Sequence, residues 1–155
     1  MRTISEIIIH CSATPPTLDI GAKEIRGWHT ASPPRGNGWA DIGYHGVIRR
    51  NGILETGRML DRAGAHCSGH NAHSVGICLV GGINALGRPE NNFTPEQWGT
   101  LARTVQDLVR KFPKAKVFGH NEFSTKACPS FNVRAWWSAA RQNNAATGGA
   151  QPCVS

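Results

Sequence analysis

Two rhythms of apolar and polar residues alternate along this chain. Residues 6–10, EIIIH, are a short apolar run bounded by polar residues, which predicts a buried strand ending in a histidine. The loop CSATPPTLDIGA follows, and AKEIRGWHTA (22–31) predicts a helix with Ile25 and Trp28 on one face. ASPPRGNGW is turn-rich and reads as a surface loop. YHGVIRRNGILETGR predicts two strands joined through Asn51–Gly52, a strong hairpin signal. DRAGAHCSGHNAH is irregular and rich in glycine, whereas VGICLVGG predicts a buried strand. FTPEQWGTLARTVQDLVRKF predicts a long amphipathic helix, with Thr94 as its N-cap, Pro95 first inside and Gln97 closing a capping box. AKVFGH predicts a further strand. A last helix, VRAWWSAAR, opens from Asn132, with Trp136 and Trp137 packing into the core. This alternation predicts one α/β domain over residues 1–142, a central mixed sheet flanked by helices. The small, polar tail 143–155 is expected to be disordered.

Composition narrows the classes. A chain of 155 residues with 39% hydrophobic content buries a core without staples. It shows neither an apolar run long enough to span a bilayer nor a secretory signal at its start, so synthesis and residence in the cytosol are expected. Five cysteines (Cys11, Cys67, Cys78, Cys128, Cys153) in a reducing compartment argue for burial or metal binding over disulfides. The net charge of +7 favours polyanionic partners, but no arginine-rich run or helix-turn-helix pattern points to a stable nucleic-acid partner.

The chemistry concentrates in GHNEFSTKACPSF (119–131), which places His120, Lys126 and Cys128 in one short segment. A histidine and a cysteine eight residues apart can share one zinc ion if the loop between them folds back. A catalytic zinc needs three protein ligands, and His10, at the end of the first predicted strand, is the best third. The fourth position is then left for water, whose pKa such an ion lowers to about 7, so hydrolysis is the implied reaction. Taken singly, a strand-end histidine is more often a hydrogen-bonded structural group, and a lone cysteine a small core residue. A rival cluster, His66, Cys67, His70 and His73, lacks the second paired cysteine of ordinary structural sites and reads as a groove wall. By strand alternation Cys11 faces away from His10, and only one of Tyr44 and His45 faces the site. Cys78 reads as core, and Cys153 as an incidental tail residue.

Together HCSAT, DIGYHGVI, GAHCSGHNAHSVGICLVGG, NFTPEQW and GHNEFSTKACPSF resemble, in order and over residues 6–140, the phage-lysozyme-type zinc N-acetylmuramoyl-L-alanine amidases. That family shares its fold with the peptidoglycan recognition proteins. The resemblance implies one zinc ion in a surface groove, held by His10, His120 and Cys128. It also implies Tyr44 and Lys126 as catalytic residues, and His66 and Asn71 as contacts to the muramyl peptide. The lysine ammonium and the metal would share the developing oxyanion charge, and Tyr44 would orient water or carbonyl, or assist proton transfer. The expected function is that of a monomeric endolysin that cuts the bond between N-acetylmuramic acid and L-alanine and lyses the host. A separate membrane-permeabilising protein would release it to the wall. Inhibition of a phage RNA polymerase is a further role found among such lysozymes. A non-catalytic peptidoglycan binder is the competing reading, and the presence of Cys128 argues against it. The short N-terminus, the SPPRGNG loop and the tail depart from the family pattern.

Overall fold

The computed structural model describes residues 1–147, with side chains through 143. Residues 148–155, including Cys153 and most of the tail expected to be disordered, lie outside the described residues.

Three consecutive isoleucines make strand β1 (Glu6–Cys11) apolar on both faces, so it is buried on both. It occupies an inner position in a five-stranded sheet of order β3-β2-β4-β1-β5. β4 (Ser74–Leu79) and β5 (Lys116–Gly119) flank it in parallel, and β2 (Gly46–Ile48) joins β4 in parallel. β3 (Leu54–Thr56) pairs antiparallel with β2 through the Asn51–Gly52 turn, where Gly52 takes a φ of +85°. The mixed sheet expected from the pattern is therefore present.

Alternation along β1 sorts the two faces. Ile7, Ile9 and Cys11 join Leu101, Val105 and Leu108 of helix α2 (Pro95–Lys111) in the larger core cluster. Helix α3 (Val133–Thr147) covers the same face, with Trp136 and Trp137 half-buried against that cluster. On the other face, Cys78 and Val47 pack with Ile25 of helix α1 (Ala22–Thr30), and the functional loops gather there. Trp28 departs from expectation: it is 44% exposed while Ile25 is buried. The inward position one turn on from Ile25 is His29, at i+4, whose ring faces Tyr44. Helix α3 also departs, continuing to Thr147 past the expected boundary at 142.

The start of α2 follows its sequence signature. Thr94 Oγ1 accepts from the Gln97 N–H at 3.1 Å, and Gln97 Oε1 accepts from the Thr94 N–H at 3.0 Å. The fully buried Gln97 also donates to the carbonyls of Ile48 and Val80, tying the helix to the sheet. Asn132 caps α3 by accepting from the Ala135 N–H.

Candidate metal centre

Because β1 and β5 are adjacent and parallel, their carboxyl ends open on one edge of the sheet, where ligand sites of α/β proteins collect. His10 lies near the end of β1, only 1% exposed, and His120 is the first residue after β5. The loop beyond returns to the same edge because its polar side chains close it. Asn121 Nδ2 donates to the Phe131 carbonyl at 3.2 Å, and Ser130 Oγ to the Gly82 carbonyl at 2.8 Å. Cys128 Sγ thereby lies 3.9 Å from His10 Nδ1 and accepts the Cys11 backbone N–H at 3.2 Å.

The ligand atoms of His10, His120 and Cys128 all lie within 4.8 Å of one another. A tetrahedral zinc-class ion separates a thiolate sulfur from an imidazole nitrogen by about 3.6 Å. The donor set and spacing therefore fit such an ion, with ligation through His10 Nδ1. That choice fixes a proton chain. His10 Nε2 must then carry its proton and donate to His66 Nδ1, 2.8 Å away, while His66 Nε2 donates to Ser74 Oγ at 3.2 Å. A ligand histidine whose second nitrogen is held in this way keeps one tautomer and one ring orientation.

Electrostatics keep the cluster ready for a cation. Burial holds His10 well below the ordinary histidine range, helped by His66, His120 and Lys126. Burial likewise lowers His120, with Lys126 adding to the effect, and lowers His66 to about 3. Neutral imidazoles are the form that binds metal. The Cys11 side chain, and then burial, push the Cys128 thiol upward. The charge of a bound ion is what would favour the thiolate there.

Lys126 is exposed and lines a cleft of about 490 Å³ with Trp39, His66, Asn71, His120 and Phe123. Tyr44 lies half-buried with its ring 5.1 Å from His10, and burial raises its hydroxyl well above the usual tyrosine range. His45 instead turns to the scaffold, accepting the Gly76 N–H at Nδ1 and meeting the Arg62 carbonyl through Nε2. Asn71 Oδ1 accepts the backbone N–H groups of both His66 and Cys67, bracing the cleft wall. The 66–73 cluster does not converge on one point. His66 joins His10, Cys67 is buried, and His70 and His73 meet Glu6. Strand alternation holds for Cys11, which packs in the α2 cluster, and for Cys78, which is core.

Several contributors escaped the sequence reading. Gly76 provides the slot in which the His66 ring lies, since a Cβ there would sit 2.6 Å from His66 Cγ. Ser74 anchors the far nitrogen of His66. Trp39, 37% exposed, lies tilted against His29 at the cleft lip, and an aromatic in the polar GNGW turn was its one available signal.

The fold is one used by amide-cutting enzymes. Residues 1–131 match the family described as N-acetylmuramoyl-L-alanine amidase, and the chain belongs to that family. It is 47% identical over 133 residues to an endolysin of Klebsiella phage KP32, covering 86% of this chain and 85% of the relative. The endolysin of Escherichia phage T7 is 44% identical over 131 residues, covering 84% and 83%. Among solved structures, the N-acetylmuramoyl-L-alanine amidase LysC of Clostridium intestinale URNW superposes with a TM-score of 0.75 at 26% identity. That match covers 92% of this chain and 87% of LysC.

Proposed function

We propose that this chain is a zinc-dependent endolysin that hydrolyses the amide between the lactyl group of N-acetylmuramic acid and L-alanine of the peptidoglycan stem peptide. The observation that carries this is the convergence of His10, His120 and Cys128 at one sheet edge, beside an open cleft that holds Lys126. The phage endolysins to which the chain is similar support the same reading. A bound zinc ion supplies Lewis acidity and lowers the pKa of coordinated water.

The chain's own residues supply the rest. Lys126 presents an ammonium to the cleft, close enough to depress both His10 and His120, and there it stabilises negative charge developing on the scissile carbonyl oxygen. Tyr44 keeps its proton because its hydroxyl is buried, so it acts as a hydrogen-bond donor that orients the carbonyl or the attacking water. His66 has both ring nitrogens engaged and serves as a positioning residue for His10. Asn71 uses its oxygen on the backbone and leaves its amide nitrogen to donate to a peptide carbonyl of the substrate. The +7 charge suits an anionic wall, and reaching murein from the cytoplasm calls for a separate membrane-permeabilising protein. Polymerase inhibition, the further role implied by the resemblance, is tested by a transcription assay with the cognate polymerase.

The deciding experiment measures new amino termini released from purified murein. Activity should vanish with a chelator, return with zinc, and be absent in Cys128→Ser together with the ion held by His10, His120 and Cys128. Undiminished hydrolysis by chelated protein or by Cys128→Ser would overturn the assignment.

A further inference from the structure

The histidines of the 66–73 segment that do not reach His10 meet a carboxylate instead. His70 Nδ1 lies 2.8 Å from Glu6 Oε2, and His73 Nε2 lies 3.3 Å from the same oxygen. The three ligand atoms all fall within 4.8 Å of one another. Local structure explains the convergence. His70 caps and His73 ends the 3-10 turn Asn71–His73, in which positions three apart eclipse, so both rings leave on one side, 5.7 Å apart. Glu6 opens β1, and its register partner is Ser74, next after His73.

The surrounding contacts hold this arrangement without help from an ion. The Ser5 N–H donates to the His73 carbonyl at 2.9 Å. The Arg2 guanidinium donates to the carbonyls of Asn71, Ala72 and Ser74. Phe123 stacks on the His70 ring at 4.0 Å and 27°. The side chains of His70, His73 and Glu6 are 26%, 41% and 16% exposed, open enough for a cation to enter from solvent.

We propose that Glu6, His70 and His73 form a second metal site, which takes a divalent transition-metal ion of the zinc class and keeps a solvent-facing fourth position. Two imidazoles and one carboxylate suit zinc, cobalt or nickel, whereas calcium and magnesium prefer all-oxygen shells. Tetrahedral bonds of 2.0–2.2 Å separate such donors by about 3.3 Å, a spacing that the His73–Glu6 pair at 3.3 Å meets and that the His70–Glu6 pair at 2.8 Å reaches by opening slightly. Glu6 precedes His10 by four residues on the same face of β1, which puts the site about 13 Å along the strand from the first centre. At that distance the ion takes no part in amide chemistry. It clips the start of β1 to the turn leading into β4 and stabilises the folded chain by mass action. The competing arrangement is a carboxylate shared between two imidazoles with no ion.

Counting ions in metal-stripped protein dialysed against buffered micromolar zinc separates the two. Wild type should hold two ions, Cys128→Ser one, and the double variant Glu6→Gln/His73→Gln one. With cobalt, the near-ultraviolet thiolate charge-transfer band should persist in the double variant. It should be missing from Cys128→Ser, which still binds one ion. Zinc should also raise the Tm of Cys128→Ser, and that rise should disappear when Glu6→Gln and His73→Gln are added. A single ion in wild type that is lost in Cys128→Ser would overturn the proposal, as would a second ion indifferent to Glu6→Gln and His73→Gln.

Discussion

His66 reaches His10 only because Gly76 presents a hydrogen, and nothing larger, beneath its ring. A Cβ at 76 would lie 2.6 Å from two ring carbons, so Gly76→Ala must displace the imidazole and leave His10 Nε2 unpaired in a buried site. Loss of such an outer partner lowers metal affinity about 10–100-fold. Competition with a zinc chelator should show that loss for Gly76→Ala and for His66→Ala alike. An unchanged affinity in both would remove His66 from its positioning role. Lys126 makes the contrasting case, because it is exposed on the cleft wall and offers an ammonium instead of a ligand atom. Lys126→Ala should keep its ion while kcat falls by about 10²–10³-fold, the usual cost of losing one donor to a developing oxyanion. Metal analysis beside murein kinetics checks both halves, and loss of the ion would assign the lysine to site assembly instead.

Helix α2 begins where a four-residue signature says it should, so its cap gives a clean stability measurement. Thr94→Ala removes one half of the reciprocal pair with Gln97 and should cost about 1 kcal/mol. For a chain of this size that lowers Tm by about 2–4 °C, with no change at the distant cleft, as a thermal melt and a murein assay would show. The capping box, the Asn51–Gly52 hairpin and the strand ending at His10 were legible because each is set by residues within a few positions of one another. Trp28 was misjudged because a nine-residue helix at the edge of the sheet buries a narrow stripe, and Ile25 with His29 fill it. The partnership of His66 with His10 spans 56 residues, and that of His70 with Glu6 spans 64. Both depend on the parallel register of β1 with β4, which no local pattern encodes. The continuation of α3 to Thr147 was hidden by the polar composition of QNNAAT, which carries no apolar stripe to announce a helix.

At the scale of the whole molecule, the histidines set how stability responds to acid. Burial lowers the pKa of His10, His29, His45, His66 and His120, five of the seven in the chain. In the unfolded chain each takes up a proton near pH 6.5, which the folded protein accepts only at lower pH. Below pH 6.5 the unfolded state therefore binds more protons, and linkage makes stability rise with pH. The contribution is fully present above about 6.5 and is lost as pH falls towards the folded values, which for His66 means about 3. Over that window His66 alone adds a slope approaching about 1.4 kcal/mol per pH unit. Urea unfolding of metal-free protein at pH 7.5 and 5 should show a clear loss at the lower value. His66→Gln should flatten the dependence by close to one proton, since glutamine has nothing to titrate. A pH dependence equal in wild type and His66→Gln would mean that the imidazole takes up its proton at the same pH in the fold as in the unfolded chain. An imidazole free to protonate at its ordinary pH is not held between His10 and Ser74 in a buried chain, and the ligation of an ion through His10 Nδ1 would lose that support.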